Sequence, residues 1–202
     1  KNQAPKHIVD KANEHHMPVL NYLEELASHI KIEEQHVVVL DWLNGNRSIL
    51  SNSHLTGSIF GLTLQTPYEM IHRAYIEATA FGTKLIMKQF EDNHIPVHTV
   101  YASGGIPQKS KLLVEIYANV LNKKVVVLDS SNASALGAAM LGATVGNAYS
   151  TLKEAALSMK QSIAYIQEPE FQKVQAYEPL YHKYCELHDL LGLQYPELSY
   201  LI

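Results

Sequence analysis

Residues 101–128, YASGGIPQKSKLLVEIYANVLNKKVVVL, carry the pattern that most narrows the fold. Val97 to Ala102 is apolar and β-branched, Gly104 and Gly105 let the backbone leave that stretch, Gln108 is read as opening a helix, and Val125 to Leu128 reads as a returning strand. A strand, crossover helix and strand of this length almost always form a right-handed parallel unit, which predicts a glycine turn at the carboxyl edge of a sheet. In open α/β sheets that edge is where ligands bind. A run of small residues, ASALGAAMLGA, follows the second strand closely and reads as a helix over Ser134 to Ala148.

Around this unit the periodicity predicts helices over Ile8 to Asn13 and Val19 to His29, the latter with Leu20, Leu23 and Leu26 on one side. A buried strand is expected over His36 to Leu43, ended by the turn chemistry of Asn44-Gly45-Asn46-Arg47-Ser48. Gly57 to Leu64 reads as a connector or irregular strand. Thr66-Pro67-Tyr68-Glu69 has the form of a capping box with proline in the first turn, opening a long helix that runs to about Asp92. Met70, Ala74, Ile76, Ala80, Phe81, Leu85 and Met87 give that helix a wide apolar face, and it is expected to be the central packing element. Helices are also predicted over Leu152 to Met159 and Lys173 to Leu191. The last carries Tyr177, Tyr181, Tyr184, Leu187 and Leu191 as an amphipathic cover and stops at Gly192. With no repeat or flexible linker, residues 1–202 are expected to form one α/β unit.

At 47% hydrophobic residues the chain has the material for a sizeable core. A net charge of -4, from 16 basic and 20 acidic side chains spread along the sequence, argues against nucleic acid and anionic membranes as partners. No apolar run approaches membrane-spanning length and the start lacks a signal-peptide core. The single cysteine, Cys185, has no internal disulfide partner, which fits a reducing, cytoplasmic setting. Phosphate-loop, dinucleotide and nucleophile-elbow motifs are absent, and the eleven histidines show no ligand spacing with an acidic partner, so no protein-bound metal is expected.

Two constellations carry chemistry. Gly104 and Gly105, with Ala135, Leu136 and Gly137 after the next strand, expose backbone on two elements at one sheet edge. A flat aromatic base would fit between them, with Ile106 beside it and Lys109 within reach of a ribose or phosphate. A plain tight turn and ordinary helix-on-sheet packing explain the same residues. Asp41 and Trp42 with Asn44, Asn46 and Arg47 combine a carboxylate, an aromatic, two amides and a guanidinium, as sugar sites do; a self-contained turn explains these equally.

Three blocks, LDWLNGNRSIL, LTGSIFGLTLQTPYEMIHRAYIEATAFGTKLI and ASGGIPQKSKLLVEIYANVLNKKVVVLDSSNASALGAAMLGA, together resemble the carboxyl-terminal lobe of the FGGY carbohydrate kinases, in the branch acting on L-ribulose. The resemblance covers nearly the whole chain and weakens after Gly192. It implies a ribonuclease-H-like, actin-like ATPase lobe, incomplete without an amino-terminal sugar-binding lobe. The implied reaction moves the terminal phosphoryl group of ATP, as its Mg2+ complex, to the 5-hydroxyl of L-ribulose, with xylulose, glycerol or gluconate as alternative acceptors. A non-catalytic actin-type nucleotide module is the contrasting reading. By resemblance, Gly104, Gly105, Ile106 and Lys109 form one adenine wall and Ala135, Leu136 and Gly137 the other, while Asn44, Asn46 and Arg47 belong to a loop near the cleft. Ser110 departs from the asparagine common in that branch, and Asn132-Ala133-Ser134 departs from its usual acidic or glutamine-bearing stretch. The general-base aspartate is expected outside this chain, leaving the lobe inert alone. ATP and ADP, a sugar held by the other lobe, and a homodimer are the implied partners.

Overall fold

In the computed structural model, residues 5–129 and 132–200 are described. The helices are α1 (Lys6–Glu14), α2 (Val19–Ser28), α3 (Tyr68–Asp92), α4 (Gly105–Lys109), α5 (Lys111–Leu121), α6 (Ala133–Val145), α7 (Leu152–Ser158) and α8 (Phe171–Asp189). The strands are β1 (Val38–Leu40), β2 (Ser58–Phe60), β3 (Thr99–Ala102), β4 (Lys124–Leu128) and β5 (Ile163–Gln167). A π-helical turn, Leu190–Gln194, and a 3₁₀ turn, Pro196–Ser199, follow α8. Ser130 and Ser131, within the third sequence block, lie outside the described residues.

The expected parallel unit is present: β3 and β4 pair in parallel with Tyr101 opposite Val126. Two details of it differ from expectation. A helix begins at Gly105, earlier than Gln108, and a second starts after Ser110, whose hydroxyl accepts the Leu113 N–H at 3.1 Å as a cap. A fifth strand, β5, was not foreseen. It runs antiparallel to β4, with Ile166 opposite Val126, and completes the order β3-β4-β5.

The second sheet is the antiparallel pair β1-β2, with Val39 opposite Ile59. Only three of the eight residues predicted for the first strand, Val38 to Leu40, form it. The chain turns at Asp41, and the Leu43 N–H closes a tight turn on Asp41 O at 2.8 Å. All of Val38, Val39 and Leu40 are buried, as a strand covered on both faces requires.

Helix α3 is the central element and packs against α2, α5 and β1. Its apolar face is the predicted one, with Met70, Ala74, Ala80, Phe81 and Met87 buried. Its start is not. The Thr66 hydroxyl accepts the Thr63 N–H at 2.8 Å in the preceding turn, Pro67 takes the cap position, and no capping box forms. In α2 the buried residues are Tyr22 and Ala27; of the predicted stripe, Leu23 and Leu26 are partly buried and pack against the cluster of Ile8, Ala12 and Tyr22, whereas Leu20 is 68% exposed. Helix α8 covers the core with Tyr177, Tyr181 and Tyr184, and Phe81 meets all three rings at centroid distances of 5.4–6.2 Å.

A buried polar network lies inside this interface. Arg73 donates from Nε to Glu77 Oε1 at 2.8 Å, from Nη1 to Ala27 O at 2.9 Å and from Nη2 to the Tyr177 hydroxyl at 2.7 Å. Tyr177 and Gln35 also donate to the Glu77 carboxylate, at 3.2 and 3.1 Å. Burial pushes the Glu77 carboxyl up, while the guanidinium and the two neutral donors oppose that rise. Gly192 does not stop the last helix. It lies within the π-helical turn, where an added Cβ would overlap Leu50 Cδ1 and stand 3.3 Å from the Trp42 ring. A side chain at 192 would require Leu50 to move away from this turn.

Candidate functional site

The glycine turn leaves β3 at its carboxyl end. Gly104 has φ 100° and ψ 178°, a backbone state that strains any residue with a Cβ. A Cβ built at either Gly104 or Gly105 meets no atom within 4 Å, so the outer surface of this peptide is uncovered. Beyond it Ile106 is 67% exposed and Lys109 is exposed, with no ion-pair partner among the described residues. The inner side is fixed: Gln108 Nε2 donates to Leu128 O at 3.0 Å, and the Tyr165 hydroxyl donates to Pro107 O at 2.9 Å. The first bond ties the turn to the end of β4, from which the chain proceeds to α6.

Helix α6 has no buried residue, although its sequence is apolar on every side. Its main neighbour is α7, so the helix-on-sheet explanation of its small residues is not what the structure shows. Ala135 is exposed, Leu136 and Gly137 are half-buried, and Gly137 and Gly142 face open space. The parallel pairing of β3 and β4 brings both candidate segments to the same sheet edge. At that edge the turn presents uncovered peptide, α6 presents small apolar side chains, and Lys109 is an exposed cation.

Asn44, Asn46 and Arg47 lie elsewhere. The loop around them is closed by a reciprocal pair of backbone bonds between Asn46 and Asn52, at 2.9 and 2.8 Å, and Asn46 Oδ1 accepts the Leu50 N–H at 3.3 Å. Gly45 sits at φ 74°, and a Cβ there would approach Ser53 Cα to 2.7 Å. Asn46 therefore builds the turn, as the simpler reading held. Asn44 and Arg47 are exposed, and Arg47 has no ion-pair partner among the described residues.

The loop roofs a cavity of about 510 Å³ whose other walls are Thr79, Gly82, Thr83 and Ile86 of α3, Tyr117 of α5 and Tyr184 of α8. Sequence reasoning saw the loop but not these walls, which tertiary packing brings together; a glycine at 82 in an otherwise close-packed helix was the available signal. Burial raises the proton affinity of Asp41, opposed by a backbone hydrogen bond within the residue. Burial also raises the Tyr184 phenol, and the Asp41 charge adds to it.

Among the described residues, no group of three or more His, Cys, Asp or Glu side chains could hold a metal ion. No described helix is long and apolar enough to cross a membrane. Cys185 is a free, half-buried thiol.

Residues 1–145 match the family described as FGGY family of carbohydrate kinases, C-terminal domain. The chain is 96% identical over all 202 residues to a protein named ribulokinase from Staphylococcus epidermidis, and 53% identical over 190 residues to one of the same name from Staphylococcus aureus. It spans 38% and 35% of their lengths. The ligand-bound xylulose kinase from Lactobacillus acidophilus superposes with a TM-score of 0.76 at 20% identity, covering 95% of this chain and 39% of that one; at this identity the likeness concerns the fold.

Proposed function

Because the chain belongs to the FGGY family of carbohydrate kinases, as that family's C-terminal domain, we propose that it is the nucleotide-binding lobe of an ATP-dependent kinase acting on L-ribulose. One observation carries the choice of sugar: 96% identity along every residue to a protein named ribulokinase. The reaction transfers the terminal phosphoryl group of ATP to the 5-hydroxyl of L-ribulose, releasing ADP and L-ribulose 5-phosphate.

In this reading the uncovered peptide at Gly104 and Gly105 lies against the adenine face, with Ile106 at its rim, and Ala135, Leu136 and Gly137 supply the opposite wall. An adenine ring needs such a side-chain-free approach, and the absence of any atom within 4 Å of the two glycine Cβ positions supports it. The exposed Lys109 ammonium is placed to meet ribose or phosphate oxygens. In this reading magnesium enters as part of the nucleotide complex and is held by the phosphates. Phosphoryl transfer is catalysed mainly by positioning and charge neutralisation, and this lobe supplies the first of these for the nucleotide. The general base and the sugar contacts belong to the remainder of the protein. A cytoplasmic location fits the unpaired Cys185, and a homodimer is the assembly to test.

Steady-state assays of the full-length protein with L-ribulose, xylulose, glycerol and gluconate test the proposal. L-ribulose is expected to give the highest kcat/KM. A higher value with another acceptor reassigns the substrate, and nucleotide binding without phosphoryl transfer to any of them makes the lobe a non-catalytic module. Light scattering on the same material reports the oligomeric state.

A further inference from the structure

Helix α4 has no buried residue, and it hangs from Gly104 and Gly105, which restrain a backbone least. A single helical turn is marginal on its own, so neither burial nor propensity fixes where it sits. Its anchors are side chains. Among the described residues, Gln108 Nε2 donates to Leu128 O at 3.0 Å, and the Tyr165 hydroxyl donates to Pro107 O at 2.9 Å. Pro107 O belongs to the last turn of the helix, where carbonyls lack intrahelical donors.

The sheet delivers Tyr165 to that position. It stands opposite Val127, which stands opposite Ala102, so one row of residues runs from β5 across β4 to the end of β3, just before the glycines. The register shifts between Val127 and Leu128, leaving Ala164 as an extra residue beside the tyrosine, and bulges of this kind re-aim side chains. The ring packs against the cluster of Val114, Ala118, Val125 and Val127, which pins it and leaves the hydroxyl to serve α4. Burial and then the Glu24 charge raise the phenol above its usual range, so it remains a donor at neutral pH. Tyr165 lies beyond residues 1–145, so this tie reaches the turn from outside the matched domain.

We infer that Tyr165 is a positioning residue for the nucleotide, holding α4 and the Gly104–Gly105 peptide in the pose that receives the base. This role presupposes the adenine-wall reading of that turn. With the tie removed, the ligand itself must order the turn, and its affinity falls by the fraction of molecules already in the receptive pose. Because Tyr165 acts through the turn alone, the loss falls on nucleotide binding and not on turnover.

Steady-state kinetics and ATP calorimetry on the full-length protein test this role. Tyr165→Phe keeps the packed ring and loses the donor. Its Kd and KM for ATP are expected to rise about 3- to 10-fold, the weight of one neutral hydrogen bond, while kcat at saturating ATP and KM for L-ribulose stay within about 2-fold. Tyr177→Phe is the structural control: it takes a hydroxyl from the buried Arg73–Glu77 network and should lower the urea midpoint without moving ATP affinity. Unchanged ATP affinity in Tyr165→Phe, an equal loss in Tyr177→Phe, or a parallel fall in kcat would each overturn the role. If Gly105→Val weakens ATP binding and Tyr165→Phe does not, the adenine wall stands and only the tie is lost. If neither does, the nucleotide reading of the turn falls and takes the tie with it.

Discussion

The interface between α3 and α8 and the sheet edge carrying Gly104 and α6 treat similar amounts of apolar sequence in opposite ways. In the first, Phe81, Tyr177 and Tyr184 are buried together and even the charged pair Arg73–Glu77 has its hydrogen bonds satisfied. In the second, an apolar helix of 13 residues buries none of them, and two glycines on the neighbouring turn face open space. One region holds the lobe together. The other leaves peptide surface uncovered, and under the proposed nucleotide reading the two regions should separate under mutation.

The largest separation is expected from Arg73→Ala. It strands a buried carboxylate and the Tyr177 hydroxyl, and removal of one partner of such a pair typically costs about 3–5 kcal/mol. Urea unfolding of the 202-residue chain, followed by fluorescence of Trp42, its one tryptophan, measures it. A loss below about 1 kcal/mol would place the lobe's stability elsewhere.

Gly105→Val should behave in the opposite manner. Nothing crowds the new side chain and valine is no worse than glycine in a helix, so unfolding should shift by less than about 0.5 kcal/mol. Calorimetric affinity of the full-length protein for ATP should fall at least about 10-fold, or about 1.4 kcal/mol. Equal affinities would remove the adenine wall from this turn.

Gly142→Ala sharpens the contrast from the other wall. An added methyl meets no atom within 4 Å, so only helix propensity acts, and the variant should be more stable by up to about 1 kcal/mol. Destabilisation in the same urea experiment would mean that this face is packed after all.

The smallest effect concerns Asp41. Burial raises its folded-state pKa above the ordinary value of 3.8, so the fold favours the protonated acid. Stability from this group is complete below that ordinary value and is lost as pH rises through the folded-state pKa. Asp41→Asn should therefore melt higher than wild type at pH 7, by less than about 3 °C, with the advantage vanishing toward pH 3. An unchanged difference across that range would show that the carboxylate is not penalised by its surroundings.

How much of this was legible depended on whether the signal was local. The β3–β4 unit and α3 were, because strand composition, paired glycines and helical periodicity act within a short window. Strand β5 was not: IAYIQ is short and mostly exposed, and it becomes a strand only because β4 offers it an edge. The Arg73–Glu77 pair has no local signature of burial, because it is α2 and α8, from far along the chain, that cover it. Thr66 had the right residues around it for a cap, but its hydroxyl was claimed by the turn before it. The same division runs through the site: the glycine turn and the 44–47 loop were visible, while the cavity beneath the loop is assembled by three helices.

Strand β5 has a further consequence for handling the molecule. Among the described residues it pairs only with β4, leaving its outer edge without a neighbour, and it carries Ile163 and Ile166 at 55% and 49% exposure. An apolar border with free backbone donors and acceptors is a template on which another extended chain can add. Concentrated solutions of the isolated lobe should self-associate through this border, and a lysine at position 166 should suppress that association without touching the core.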